Sequence, residues 1–432
     1  MEQLSRTQNS IQFVGLIYAG LIAISNLRGY FHLFELPWYA TQFAYGAIIL
    51  LGIVWIFITG KTDRLNTSVN VMLFQMIPQI IMMVWSVAIW VWNRETLASI
   101  LRGSSQLLYQ LLLLTMLISA GVMFGRKAIE YTALGFIMAN SLVLLDVIRR
   151  FGVASTVSGF TQFLLSAGSH DNVISQNLEV QDLTFGFGIL LLYYIFEGKD
   201  EHWRRFYIIA FTFFIITGFK RILFLAFAVG FVYLFLVRKM TKKLQTKLSI
   251  AIGLSLIILS IVYVVLIKTD LLFKVMDYLG IDLMGRRRLY NHVKQYYEIS
   301  PAYMGVGFGR LSKILEAVEV TENRRLHSDI LRLYIELGMP VFLLWSAVTY
   351  IFTYNYFRRL YSLASAKIYF AVTILMFVTF LTDNTIEKFC PMIAWHILPL
   401  ALVLKDKEAF AESLLTRRKN VPEQERRIQW VK

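Results

Sequence analysis

The segment FYIIAFTFFIITGFKRILFLAFAVGFVYLFLV, residues 206–237, decides how this chain is threaded, because it is apolar throughout except for Lys220 and Arg221 near its middle. Read as one helix it crosses a bilayer once. Read as two helices turning at Lys220 it crosses twice, and every later segment changes side. Two helices of ~13 and ~16 residues reach roughly 20 and 24 Å, short of a hydrocarbon core of about 30 Å. The Lys220 and Arg221 pair is then expected to dip below the membrane surface. Unpaired cations are costly at that depth, so such a pair either lines a cavity and holds an anion or snorkels back to the headgroups.

The same character extends outward in both directions. Of the 432 residues 57% are hydrophobic and 16% charged, where a soluble domain has about a quarter charged. Apolar runs approaching the ~20 residues of a membrane span begin near Ile11, Trp38, Val69, Ser105, Tyr131, Leu183, Phe206, Ile222, Leu248, Pro340, Ile368 and Pro391. The expected fold class is an all-α integral membrane protein with about twelve transmembrane helices. The first run, residues 11–25, lacks a small-residue cleavage site and reads as an uncleaved first helix.

Lysine and arginine orient the helices, since cytoplasmic connections carry the excess. With residues 206–237 split and the N-terminus inside, the inner connections and the tail hold 24 of them and the outer connections 8, leaving aside residues 268–339. A single helix would put KMTKK (239–243) and the basic tail outside, so two helices are preferred. Both termini are thus expected in the cytoplasm. The expected organisation is residues 1–268 with nine transmembrane helices, 269–339 as one large extracytoplasmic loop, 340–404 with three more helices, and 405–432 as a basic cytoplasmic tail. The net charge of +15 then faces anionic membrane lipid, and nucleic acid is not an expected partner.

Residues 268–339 carry eleven cations: Lys268, Lys274, Arg286, Arg287, Arg288, Lys294, Arg310, Lys313, Arg324, Arg325 and Arg332. Outward loops normally avoid that density. Arg287, Tyr290, Lys294 and Tyr297 recur at three and four residues, and residues 311–320 are patterned alike. The loop should therefore fold as amphipathic helices over the membrane mouth, with arginines directed at something acidic. Guanidinium forks suit phosphate oxygens. Gly305, Gly307 and Gly309 of GVGFG allow either close backbone approach to such a group or a plain turn. With no GK[ST] and no strand–turn–helix context, the run is neither a P-loop nor a dinucleotide fingerprint.

His327 stands among Arg324, Arg325, Asp329 and Arg332, just before an apolar helix. It suits a general base or a hydrogen-bond donor near neutral pH; equally it is a residue at a helix start that Ser328 or Asp329 would cap. His202, His292 and His396 lack ligand spacing, and no HExxH occurs. The single cysteine, Cys390, excludes an intrachain disulfide and a multi-cysteine metal site, and reads as a small buried or lipid-facing thiol. No metal or other cofactor is expected. Asp383, Asn384, Glu387 and Lys388 form the last outward turn, which either completes a pocket or is merely solvated.

From about residue 213 to 344 the motifs resemble those of the O-antigen ligase and Wzy-type polysaccharide polymerase family of bacterial envelope glycosyltransferases. His327, Ser328, nine further residues and Gly338 follow its His-centred signature, with Val341 where Gly, Thr or Tyr is usual. Gly285, Arg286, Pro301, Gly305, Gly307 and Gly309 fall on its Gly-Arg segment running through Pro into GxGxG. Arg221 in TGFKRILFLAFAVG resembles its mid-chain arginine, Phe219 and Lys220 being less usual there. The N-terminal half is similar in hydropathy only. The resemblance implies a GT-C-like enzyme that moves glycan from undecaprenyl diphosphate to an acceptor hydroxyl on the outer face of the cytoplasmic membrane. It implies catalytic roles for His327, Arg221 and Arg286. Contacts to the diphosphate or glycan would come from Lys220, Arg287, Arg288, Arg310, Arg324 and Arg325 with the three loop glycines, and cations would stabilise the leaving charge without a metal.

Within that family the basic, aromatic, alanine-poor composition points to a polymerase of undecaprenyl-diphosphate-linked oligosaccharide repeat units, building an O-antigen, capsule or exopolysaccharide, with a chain-length regulator as a candidate partner. The alternative is an O-antigen ligase acting on lipid A core. From another class, a lipid-linked oligosaccharide flippase or secondary transporter would place charges near the midplane in two related halves. Residues 1–216 and 217–432 share no repeat, and polar groups within helices are sparse: Gln75, Gln79, Asn140, Asp146 and His396. Charge concentrated in one outward loop favours chemistry at the surface over transport through the centre.

Overall fold

A computed structural model describes residues 2–27, 30, 39–60, 62–165, 183–281, 285–316 and 326–420, and among these there is no strand. The N-terminal helices are α1 (Glu2–Leu27), α2 (Ala40–Thr59), α3 (Leu65–Trp92), α4 (Leu97–Phe124), α5 (Ala128–Phe151) and α6 (Val153–Leu165). Then come α7 (Leu183–Phe196), α8 (Arg204–Gly218), α9 (Arg221–Arg238) and α10 (Lys242–Lys268). Three short helices follow, α11 (Leu271–Tyr278), α12 (Arg286–Val293) and α13 (Arg310–Glu316). The chain closes with α14 (Asp329–Ala347), a π-helical turn at Val348–Phe352, α15 (Thr353–Leu360), α16 (Leu363–Thr382) and α17 (Phe389–Asn420).

Eight helical segments among the described residues are long and apolar enough to cross a membrane. One of them, Leu97–Phe151, runs through α4 and α5 and is broken by a 3-10 turn at Gly125–Lys127; Ile11–Leu27 and Leu183–Phe196 are apolar but shorter. Large apolar side chains such as Phe43, Phe57, Val91 and Ile209 point outward, whereas α16 and the first part of α17 are covered almost all round and form the centre. An apolar exterior around a packed helical interior is the arrangement expected when lipid is the solvent. Small residues let helix backbones close up: a Cβ added at Gly135 would fall 2.8 Å from the Ala19 carbonyl oxygen, which brings α5 onto α1. Cys390 is buried, its thiol 3.8 Å from the Leu183 carbonyl oxygen.

Residues 206–237 fold as two helices. Phe219 takes a left-handed conformation (φ 34°) and stops α8; Lys220 is extended and starts α9. Both helices pack on α7: Gly218 lies against Thr184, while further along α9 Gly230 lies against Leu192. The chain therefore runs one way along α7 in α8 and back in α9.

Two groups of connections meet at opposite ends of the bundle. At one end Lys220 pairs with Asp383, and Arg310 with Glu95. At the other Arg64 pairs with Glu408, and Lys367 with Glu197. These are the groupings that the charge count implies.

The helix expected after His327 begins at Asp329, and the membrane span expected to begin near Pro340 is continuous with it. Ser328 caps it, its Oγ accepting from the Leu331 N–H at 3.2 Å. Buried Arg332 and Glu336 lower the hydropathy of its first turns, which is why the apolar run in the sequence begins only near Pro340. The helix is interrupted at Gly338 (φ 74°, ψ 167°), one residue before Met339 and two before Pro340, and then resumes.

Candidate active site

Gly338 explains the spacing of the His327 motif. Asp329 to Gly338 form a short, wholly buried helical piece that starts at the Ser328 cap and ends at the kink. At the kink a Cβ on Gly338 would lie 2.3 Å from the Met304 carbonyl carbon, so only glycine admits the GVGFG segment there. The segment is pinned by that contact. Gly305, Gly307 and Gly309 have φ of 84°, 86° and 85°. The amides of Val306 and Gly307 donate to the carbonyls of Ile335 (3.1 Å) and Glu336 (2.9 Å). Those of Phe308 and Gly309 donate to Ser86 Oγ (3.1 Å) and Glu336 Oε1 (2.7 Å). The expected phosphate contact through these glycines is therefore corrected: four successive donors are already used inside the protein, and the glycines serve close packing against α14, α3 and α4.

Arg332 ties this piece to its neighbours. Its guanidinium donates to Glu336 Oε2 (3.0 Å), to Gln106 Oε1 of α4 (2.9 Å) and to Glu387 in the turn before α17, and it stacks over Phe308. Asp329 Oδ2 accepts from the Ile386 amide at 2.8 Å. The turn at residues 383–388, the glycine segment and α14 are thus one hydrogen-bonded unit, and a buried pair this well satisfied is a positioning device.

His327 sits on that unit in a left-handed conformation (φ 53°). Its carbonyl oxygen accepts from Tyr290 Oη of α12 at 3.3 Å, and Tyr263 Oη of α10 holds the Leu381 carbonyl at 2.6 Å. A non-glycine residue with positive φ persists only where its surroundings hold it. The consequence is a ring that is part-exposed, with Nδ1 3.9 Å from Asp383 Oδ1. Asp383 is extended at the end of α16, where its Oδ1 also accepts from the Asn384 amide (2.9 Å) and its Oδ2 faces Lys220 Nζ (3.3 Å). Burial by itself would raise the Asp383 carboxyl, but the His327 ring and the Lys220 ammonium together hold it well below the usual carboxylate range. Burial pulls the Lys220 ammonium down to about 8; Asp383 opposes this, and the nearby charges of Lys388 and Arg286 add to it. Lys220 also lies over the Phe185 ring at 4.5 Å. Lys220 thus feels the charges of Lys388 and Arg286 while it faces the carboxylate that His327 also faces.

The expected site residues divide accordingly. His327, Lys220 and Arg286 come together. Arg221, next to Lys220, is exposed at the start of α9 and has no ion-pair partner among the described residues. Arg287 and Arg310, expected to face phosphate, are each engaged by a carboxylate, Asp277 at 2.9 Å and Glu95 at 2.9 Å. Arg288 is exposed. Arg324 and Arg325 lie outside the described residues. Asp383 and Lys388, read in the sequence only as members of a turn, belong to the centre of the site, and the i, i+4 spacing of Arg332 and Glu336 was the available signal for the buried pair. No group of three or more His, Cys, Asp or Glu side chains among the described residues is placed to hold a metal ion.

The chain matches no curated protein. Residues 206–346, from α8 through α14, match the family model described as O-antigen ligase. That match spans Lys220, Arg221, Arg286, the glycine segment and His327, so over this part of its length the chain is similar to the O-antigen ligase family.

Proposed function

We propose that this protein polymerises lipid-diphosphate-linked oligosaccharide repeat units into a surface polysaccharide on the outer face of the cytoplasmic membrane. The observation that carries this is the Lys220, Asp383 and His327 line at one end of the helical bundle, set in the field of Arg286 and Lys388. In the reaction an acceptor hydroxyl oxygen bonds to the anomeric carbon of the donor sugar while the bond from that carbon to the diphosphate oxygen breaks. With Nδ1 turned toward Asp383, His327 Nε2 takes the hydroxyl proton, and the carboxylate stabilises the imidazolium that forms. The cations receive the diphosphate as its charge develops. In this reading Arg221, exposed beside Lys220, contacts the same group.

In this reading the bundle crosses the membrane twelve times. Leu97–Phe151 crosses twice, and the shorter Ile11–Leu27, Leu183–Phe196 and Arg204–Gly218 cross with both termini in the cytoplasm. A ligase would share the donor site and differ in acceptor.

The test is incubation of the purified protein with an undecaprenyl-diphosphate-linked repeat unit, with chelator and without nucleotide, followed by separation of products by size. A ladder that disappears with His327→Ala supports the polymerase reading and the histidine's role. A normal ladder from that variant removes His327 from the chemistry. Transfer only when lipid A core is supplied identifies a ligase, and no transfer to either acceptor by folded protein turns the reading toward a transporter.

A further inference from the structure

At the end of the bundle opposite His327, a cavity of about 440 Å³ opens between α7, α9, α16 and α17. That volume is in the range of small-ligand sites. Lys199, Arg238, Lys367 and Lys405 line it, against one carboxylate among the described residues, Glu197. Glu197 is already engaged: Lys367 Nζ sits 2.7 Å from its Oε1, and Lys405 Nζ is 3.5 Å from its carbonyl oxygen. Lys199 and Arg238 are exposed at the rim with no ion-pair partner among the described residues. The cavity therefore carries a surplus of positive charge that its own acid does not neutralise.

The opposite wall is apolar. Phe196 and Phe231 pack edge to face with centroids 5.2 Å apart, and Phe235 beside them is half exposed. Exposed Val232 and Leu236 extend the same surface of α9. A soluble anion has no use for such a wall. A ligand with a phosphate at one end and hydrocarbon at the other uses both halves.

We propose that this cavity binds the headgroup of an anionic phospholipid, its phosphodiester among Lys199, Arg238 and Lys367 and an acyl chain along Phe231 and Phe235. The site lies at the end whose connections carry the lysine and arginine excess, where an anionic leaflet would be met. It is independent of the transfer reaction and does not touch the His327 site.

Native mass spectrometry of the full chain, titrated with dioleoyl phosphatidylglycerol, dioleoyl phosphatidylcholine or inorganic phosphate, tests this. The expected result is retention of phosphatidylglycerol at least about tenfold over phosphatidylcholine, undisturbed by millimolar phosphate. A cation at a membrane surface is worth about a factor of five, so the double variant Lys199→Ala/Arg238→Ala should lose roughly twentyfold. Lys242→Ala/Lys243→Ala, which removes two exposed cations from the start of α10, should lose little. Size-exclusion profiles matching the parent keep the comparison valid. Equal losses from the two double variants would reduce the effect to general surface charge and overturn the site. Equal retention of the two lipids, or displacement by inorganic phosphate, would overturn the lipid assignment.

Discussion

His327 Nδ1 faces Asp383 Oδ1 at 3.9 Å across the gap between the start of α14 and the end of α16. The other oxygen of the same carboxylate faces Lys220 at 3.3 Å. One carboxylate thus lies between the histidine and the lysine, and it belongs to a residue outside the segment that carries the family motifs.

Asp383→Asn keeps the shape and the acceptor for the Asn384 amide but removes the charge. Glycan transfer should fall by about 10²- to 10⁴-fold, the range associated with loss of an acid–base assembly, while protein abundance stays near the parent. An initial-rate assay on quantified protein checks this; a parental rate would mean that Asp383 only shapes the turn.

Lys220 is cationic below about pH 8 and loses its charge as pH rises through that value, because burial depresses it first of all. A reaction that needs the ammonium should therefore slow above pH 8. Lys220→Arg, whose guanidinium stays charged to beyond pH ~12, should carry the alkaline limb upward. A pH–rate profile of both proteins decides it, an unchanged limb assigning the limb to another group. The stability sign is opposite: the folded protein holds this charge at a cost below pH 8, and the cost is relieved between about 8 and 10.5, where the unfolded chain binds more protons.

Gly338→Ala should destabilise strongly, since its Cβ would meet Met304 at 2.3 Å on a backbone with φ 74°. Gly280 also has positive φ, 65°, but open space around it, so Gly280→Ala should cost only the local strain of about 1 kcal/mol. Thermal unfolding in detergent compares the two. Equal shifts would show that contact with the GVGFG segment is not what requires the glycine.

Arg332→Ala leaves Glu336 buried and Glu387 part-buried without their cation, and breaking such a network costs about 3–5 kcal/mol. Low abundance and early unfolding are expected. Arg221→Ala, at an exposed position, should stay within about 0.5 kcal/mol of the parent while lowering transfer. Stability and rate measured on the same preparations separate the structural arginine from the functional one.

Helical class, the two helices in residues 206–237 and the pairing of connections at each end were legible because they rest on local hydropathy and on charge at membrane borders. So was His327, which stands at a helix start inside a spaced motif. The extent of the span that includes α14 was not legible: Arg332 and Glu336 keep its first turns out of the apolar run until their partners from α4 and the 383–388 turn are in place. The loop glycines read as a ligand cradle for a similar reason, since their amides are consumed by residues distant in sequence.

The sequence by itself determined a chain that must satisfy its backbone within helices, where those helices turn, and which segment concentrates cations near a histidine. Only the tertiary structure decided which cations lie near the histidine. Arg287 and Arg310 are matched by nearby carboxylates, whereas Lys220 meets Asp383 because α8, α9, α16 and α17 end at the same level. Burial there makes each charge act strongly on the next, and neither burial nor level is a property of any local run of residues.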